Sequence, residues 1–187
     1  MEETKINWGK ELLDWAKTIA WAFVIVFVVT TYVFRIVAVD GRSMEDTLHH
    51  KDRLYMNQFF YTPQKGHIIV FRPTANPDRP YVKRVIATAG DTVFIDFANG
   101  GVYVNDELQD EPYIKEKTRN QGRWISANCP EFSKENPIKI EEGFIWAMGD
   151  NRNNSSDSRD LGPIPVKSVM GHALFRIWPL NKIGILR

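Results

Sequence analysis

The hydrophobic pattern of this chain changes its period once, near residue 38. From Thr18 to Phe34 the stretch "TIAWAFVIVFVVTTYVF" runs 17 residues without a charged side chain. It has no polar face, unlike the amphipathic stripe of a helix packed on a globular core. At a rise of ~1.5 Å per residue, a run of this length sits at the lower limit for crossing a ~30 Å hydrocarbon layer. Ile36 to Val39 extend it if Arg35 snorkels toward the headgroups. Trp21 and Tyr32 stand near its ends, as interfacial aromatic anchors do. A secretory signal peptide has a shorter apolar region and a small-x-small cleavage site, and no such site follows here. The pattern predicts an uncleaved transmembrane anchor helix over 18–38, after a short tail over 1–17.

Beyond it the apolar runs shorten to strand length and are rich in Val, Ile, Phe and Tyr. Strands are expected at Arg53–Asn57, His67–Phe71, Tyr81–Ala87, Thr92–Phe97, Gly101–Val104, Phe144–Met148 and His172–Trp178. "TVFIDFANGGVYVND" reads as a β-hairpin, with Asn99, Gly100 and Gly101 tolerating positive φ at the turn. Lys115 to Pro137 is polar and broken by Gly, Asn and Pro, which predicts a long surface excursion. The expected fold over 39–187 is therefore mainly β and antiparallel.

Charge removes some function classes. Lys and Arg number 24 against 23 Asp and Glu, a net charge of +1. With no basic excess, zinc-finger spacing or RNP-like strand, no nucleic-acid partner is expected. Cys129 is the single cysteine, so no intramolecular disulfide or cysteine cage can form. His49, His50, His67 and His172 show no metal-ligand spacing and read as structural or surface residues. No metal or cofactor is expected. Lys5, Lys10 and Lys17 precede the anchor while Arg35, Arg42, Lys51 and Arg53 follow it, so charge alone leaves its orientation open.

Three stretches carry candidate chemistry: "GRSMEDTL", "YVKRVIATAGD" and "GDNRNNSSDSRDLG". Each also has a plain structural reading. Ser43 to Asp46 fits a helix capping box, the Lys83-Arg84 pair suits an edge strand guarded by charge, and the third is turn-forming. Together they offer a serine and a lysine that serves as its base when neutral. Lys83 sits among Tyr81, Val82, Val85 and Ile86, and desolvation disfavours an ammonium. Lowering a lysine from ~10.4 to ~8 disfavours its charged form by about 3 kcal/mol, within reach of partial burial.

In this order the stretches resemble the bacterial type I signal peptidases, in their short Gram-positive form. "SMEDTL" resembles the family's S-M-x-P-T-L box, "GHIIVF" its G-D-I-V-V-F strand, "YVKRVIATAGD" its lysine box, and "GDNRNNSSDSRDLGPI" its last box. The resemblance implies a β-sheet or partly open barrel fold of the signal peptidase and self-cleaving repressor type. It implies a Ser/Lys dyad with Ser43 as nucleophile and Lys83 as general base. Ser155 would hydrogen-bond the lysine amine, and Asp157, Arg159 and Arg84 would form a salt-bridge network. The Ser43 N–H would line the oxyanion hole, with Gly41 where longer relatives place a hydroxyl donor. Val39, Met44, Leu48, Tyr81 and Val82 would form shallow subsites. The implied partners are secretory preproteins with small residues at −1 and −3, emerging from the export translocon, and membrane lipid. The implied topology has a cytoplasmic N-terminus and an extracytoplasmic β domain. Two departures stand out: Asp46 replaces the usual proline, and His67 a common Asp. Asp46 is expected to cap a turn rather than raise the lysine pKa. Two other readings are a soluble self-cleaving peptidase of the repressor type, and a membrane-anchored non-catalytic β domain acting in partner binding or surface assembly.

Overall fold

A computed structural model of the protein describes residues 8–28, 34–74 and 76–186. They fall into two compact units, Met1–Arg35 and Ile36–Arg187. In the first, helix α1 runs Trp8–Val28 and so begins well before Thr18. Leu12, Leu13 and Lys10 are good helix formers. Asp14 pairs with Lys17 at 3.4 Å and its carbonyl accepts the Thr18 hydroxyl at 2.9 Å, which ties the charged turns to the apolar ones. None of its residues is buried, and Trp15, Trp21, Phe23, Ile25 and Phe27 are all exposed. Among the described residues no helix is long and apolar enough to cross a membrane. Residues 29–33 of the expected anchor lie outside the described residues.

The expected helix to residue 38 is corrected at its end, because Phe34–Ala38 is strand β1. β-Branched Ile36 and Val37 favour extended backbone, and β1 takes the edge beside the next strand. The second unit continues with β2 (Arg53–Asn57), β3 (Ile68–Phe71), β4 (Tyr81–Ala87) and the hairpin β5 (Thr92–Asp96) and β6 (Gly101–Val104). Then come β7 (Glu107–Leu108), helix α2 (Arg123–Asn128), β8 (Ile138–Lys139), β9 (Phe144–Met148) and the single-turn helix α3 (Ser158–Leu161). β10 (Ile164–Pro165), β11 (Val169–Trp178) and β12 (Gly184–Ile185) close the chain.

The larger sheet has the order β1-β2-β11-β3-β4-β9-β10, with β12 also on β11, and is antiparallel from β2 onward. The smaller sheet has the order β7-β6-β5-β8. The unit is mainly β, as expected. β4 lies between β3 and β9, so from Val82 to Ala87 every residue is buried. Ile68 to Phe71 of β3 are buried as well, the continuous apolar run of a strand covered on both faces.

The stretch Lys115–Pro137 is more than the surface excursion its polarity predicts. It contains α2, whose Ile125 is fully buried among Ile86, Val93, Ile95 and Trp146. Trp124 meets Trp146 edge-on at 5.9 Å. One adjacent apolar pair flanked by polar residues escapes a periodicity search, yet it docks the excursion onto the core shared by the two sheets. Ile125→Ala is expected to destabilise the β domain by about 2–5 kcal/mol. Denaturant unfolding reads this directly, and a loss below about 1 kcal/mol would show that the excursion is not part of the core.

Candidate active site

β4 brings two adjacent cations into the interior of a sheet. It is a central strand, so the charge-guarded edge is ruled out, and each cation has a specific use. Arg84 is 1% exposed and makes a fork with Asp150, Nε to Oδ1 at 2.9 Å and Nη2 to Oδ2 at 2.7 Å. It also donates to the Gly66 carbonyl at 3.0 Å and stacks on Tyr113 at 4.0 Å. Lys83 is 3% exposed, with Nζ at 2.7 Å from Ser43 Oγ and 2.9 Å from the Val82 carbonyl. Burial pushes the Lys83 pKa down to about 8, while Asp157 and Asp150 pull it upward and Arg159 pushes it further down. With such a pKa roughly a tenth of the amine is neutral at pH 7, against well under a thousandth for a free lysine. When the amine is neutral, the Ser43 hydroxyl can donate to it across the same short contact.

Ser43 caps no helix. Residues 41–48 form successive bends and turns, with the Glu45 N–H on the Arg42 carbonyl and the Leu48 N–H on the Met44 carbonyl. The loop is closed where the Val39 N–H meets the Asp52 carbonyl and the Lys51 N–H meets the Val39 carbonyl. Met44 and Leu48 plug the core with Leu54 and Met56, which fixes the turn from beneath. Gly41 adopts φ +102, and its N–H points to His50 Nδ1 at 3.3 Å.

The third stretch follows β9 and braces both partners. The Asn151 N–H donates to the Ser43 carbonyl at 3.0 Å, and Asn151 Nδ2 to the Arg42 carbonyl at 3.1 Å. Asp150 also accepts the Thr47 hydroxyl at 2.5 Å, so one carboxylate joins the serine turn to β4. Gly149 packs directly against the Ser43 carbonyl and the Ser155 hydroxyl, leaving no room for a Cβ. Asp157 caps α3, accepts the Gly149 N–H at 2.9 Å and forms a fork with Arg159 at 2.9 and 2.7 Å. Burial alone would raise the Asp157 pKa, but Arg159 and these hydrogen bonds hold it below the usual carboxylate range. Arg152 forks to Glu111 at 2.9 and 2.6 Å and donates to Thr118 at 3.1 Å, tying the excursion to the same loop.

The positions expected from the sequence divide accordingly. Ser43 and Lys83 meet. The expected single salt-bridge network is two separate pairs, Arg84 with Asp150 and Arg159 with Asp157. Ser155 is buried, and among the described residues its Oγ makes no hydrogen bond to the lysine amine; it lies near enough to Asp157 to help lower that carboxyl's pKa. Val39, Gly41, Met44, Tyr81 and Val82 line a groove of about 230 Å³ beside Ser43 and Lys83, with Pro80, Asn154 and Ser156. Leu48 does not; it is 0% exposed and belongs to the core below. Asp46 neither caps a turn nor enters the electrostatics of Lys83. Its exposed carboxylate pairs with Lys115 at 3.9 Å, and the Glu45–Asp46 bond is cis. His67 and His172 stack at 4.0 Å outside the groove lining, and His67 bonds the Tyr61 hydroxyl at 3.0 Å. Asp150, Asn151, Gly149 and Thr47 were missed as functional positions, although all four lie inside the stretches quoted above. Their signal was the loop composition, which turns share.

Residues 12–178 match the family described as signal peptidase, peptidase S26. Signal peptidase IB of Staphylococcus aureus is 37% identical over 181 residues, covering 92% of this chain and 93% of that protein. Signal peptidase I of Bacillus amyloliquefaciens is 34% identical over 189 residues, covering 97% and 96%. The crystal structure of a signal peptidase I from Enterococcus faecalis is 24% identical, covers 60% of this chain and 97% of its own, and gives a TM-score of 0.43.

Acylation of Ser43 by a serine-directed reagent should rise with pH through about 8 and level off above it, because only neutral Lys83 accepts the proton. The folded state prefers that neutral form while the unfolded chain binds the proton up to ~10.4, so stability should increase with pH between these values. Lys83→Met should remove that increase and raise Tm at pH 7; an unchanged pH–Tm curve would contradict the depressed pKa. Separately, Gly149→Ala drives a methyl into the Ser43 carbonyl and should cost about 1–3 kcal/mol in denaturant unfolding. Parental stability would mean that the loop after β9 yields freely.

Proposed function

The chain belongs to the signal peptidase family, peptidase S26, and we propose that it removes signal peptides through a dyad of Ser43 and Lys83. The observation that carries the dyad is the 2.7 Å contact between Ser43 Oγ and a lysine amine buried in a central strand. Lys83 takes the hydroxyl proton as Ser43 attacks the scissile carbonyl, and returns it to the leaving amine. The Ser43 N–H faces the developing oxyanion, with a donor of this kind worth about 3–4 kcal/mol in other hydrolases. Gly41 brings no hydroxyl, and its own N–H is directed at His50. The acyl-enzyme is then hydrolysed with Lys83 activating water.

The preferred substrates are exported preproteins cut after small-x-small sites of the Ala-x-Ala type. The small groove of about 230 Å³ over Val39, Met44, Tyr81 and Val82 supports this choice, since large side chains at −1 and −3 overpack such a space. Membrane attachment is supported by α1, whose exposed Trp, Phe and Ile side chains are placed as lipid would require, and by the uncharged run from Thr18 to Phe34. In this reading the chain is a single-pass protein of the cell membrane. Its N-terminus is cytoplasmic, and its β domain lies outside, where preproteins emerge from the export translocon.

The test uses the full chain in detergent or lipid with a preprotein carrying an Ala-x-Ala site. Ser43→Ala and Lys83→Ala should each lower the cleavage rate by about a thousandfold or more while circular dichroism stays parental. Near-parental cleavage by Lys83→Ala would remove the lysine from the mechanism.

A further inference from the structure

The serine turn is held from a side that the dyad does not use. Arg176 lies on β11, opposite Leu54 of β2, and outside the three stretches that carry candidate chemistry. Its Nη1 donates to the Thr47 carbonyl at 3.0 Å and to Asp52 Oδ2 at 3.0 Å, and its Nε donates to the Lys182 carbonyl at 2.7 Å. Its side chain is 18% exposed and that of Asp52 is 4% exposed. The same Asp52 oxygen accepts the His49 N–H at 3.0 Å. These bonds close the loop over residues 47–52 around one guanidinium.

The consequence for Ser43 runs through peptide planes. The Thr47 carbonyl and the Leu48 N–H belong to one rigid peptide unit. Arg176 holds its oxygen, and its N–H donates to the Met44 carbonyl at 2.8 Å. The preceding carbonyl, that of Ser43, accepts the Asn151 N–H at 3.0 Å. Two consecutive carbonyls are thus pinned, one from the β9 loop and one, through the 47–48 peptide, from β11. Thr47 itself is gripped at both ends, since its hydroxyl donates to Asp150, which Arg84 holds.

We propose that Arg176 is a positioning residue for the nucleophile, orienting the Ser43–Met44 backbone so that Ser43 Oγ stays on Lys83 Nζ and the Ser43 N–H faces the groove. This rests on the reading of Ser43 as nucleophile. Arg176 touches no substrate and lies outside the groove lining, so its loss acts on the reaction step and leaves substrate binding nearly unchanged. A planar fork is required, because one guanidinium serves the Lys182 carbonyl from Nε and the turn from Nη1, and a lysine ammonium cannot span both.

The experiment measures preprotein cleavage by the full chain in detergent, with Tm from the same samples. Arg176→Met alone leaves Asp52 buried and unpaired, so it is paired with Asp52→Asn in a double variant. That double variant should melt near the parent, with KM within about twofold and kcat about ten- to a hundredfold lower. Arg176→Lys, which keeps the charge beside Asp52, should show the same split between kcat and KM. If the double variant recovers parental kcat, Arg176 serves only to neutralise Asp52 and the proposal is overturned. If the double variant does not fold, Arg176→Lys decides, and parental kcat there overturns the proposal too. Ser43→Ala runs alongside as a control. Cleavage by that control at the parental rate would instead overturn the dyad, and the positioning role with it.

Discussion

A lysine amine enclosed in the middle of a sheet is the constraint around which this domain is arranged. Burial drives the ammonium toward neutrality, but Asp150 and Asp157 lie close enough to restore it. Each of these carboxylates is engaged by an arginine of its own, Arg84 for Asp150 and Arg159 for Asp157. The arginines therefore do more than satisfy buried acids. Arg159 also pushes the Lys83 pKa down, against the upward pull of the two carboxylates. A buried ion pair is weak evidence of stability on its own; here its effect falls on the protonation state of a neighbour.

The same pairs also place the serine. Asp150 carries Arg84 on one side and the Thr47 hydroxyl on the other, and the following N–H, that of Asn151, holds the Ser43 carbonyl. Gly149 permits this approach, because any Cβ there would collide with the Ser43 carbonyl. The electrostatics of Lys83 and the geometry of Ser43 thus share one short loop after β9. Arg152 extends that loop to Glu111 and Thr118, and α2 docks the excursion on the core through Ile125. Rigidity at Ser43 is inherited from packing well away from it.

Much of this was legible in the residues, and the failures have physical causes. The strands at Arg53–Asn57, Tyr81–Ala87, Gly101–Val104 and Phe144–Met148 match their observed limits, because short apolar and aromatic runs between turn residues have few alternatives. The hairpin pairs Val93 with Val104 and Asp96 with Gly101, and Gly100 adopts φ +77 at the turn. The end of the apolar segment was misplaced, since Phe34–Ala38 is apolar enough for a helix but is claimed by the sheet edge. Leu48 was expected in a subsite and is a core residue, a difference that hydrophobicity cannot express. Ser155 was expected on the lysine amine and makes no hydrogen bond to it among the described residues; its acidic neighbour is Asp157, two positions along the chain.

What the sequence by itself determined was local: an apolar segment ahead of a β domain, the strands, the hairpin turn, and the three stretches holding Ser43, Lys83 and the acid–arginine loop. Side-chain chemistry and backbone preference suffice for these, since each depends on neighbours a few residues away. Only the tertiary structure decided that Lys83 lies on a central strand rather than an edge, that Ser43 meets an amine rather than a helix N–H, and which arginine takes which carboxylate. Apart from Arg159 and Asp157, two positions apart, those outcomes turn on contacts between residues 40 to 66 positions apart. Strand order and burial set such contacts, and no local pattern encodes them.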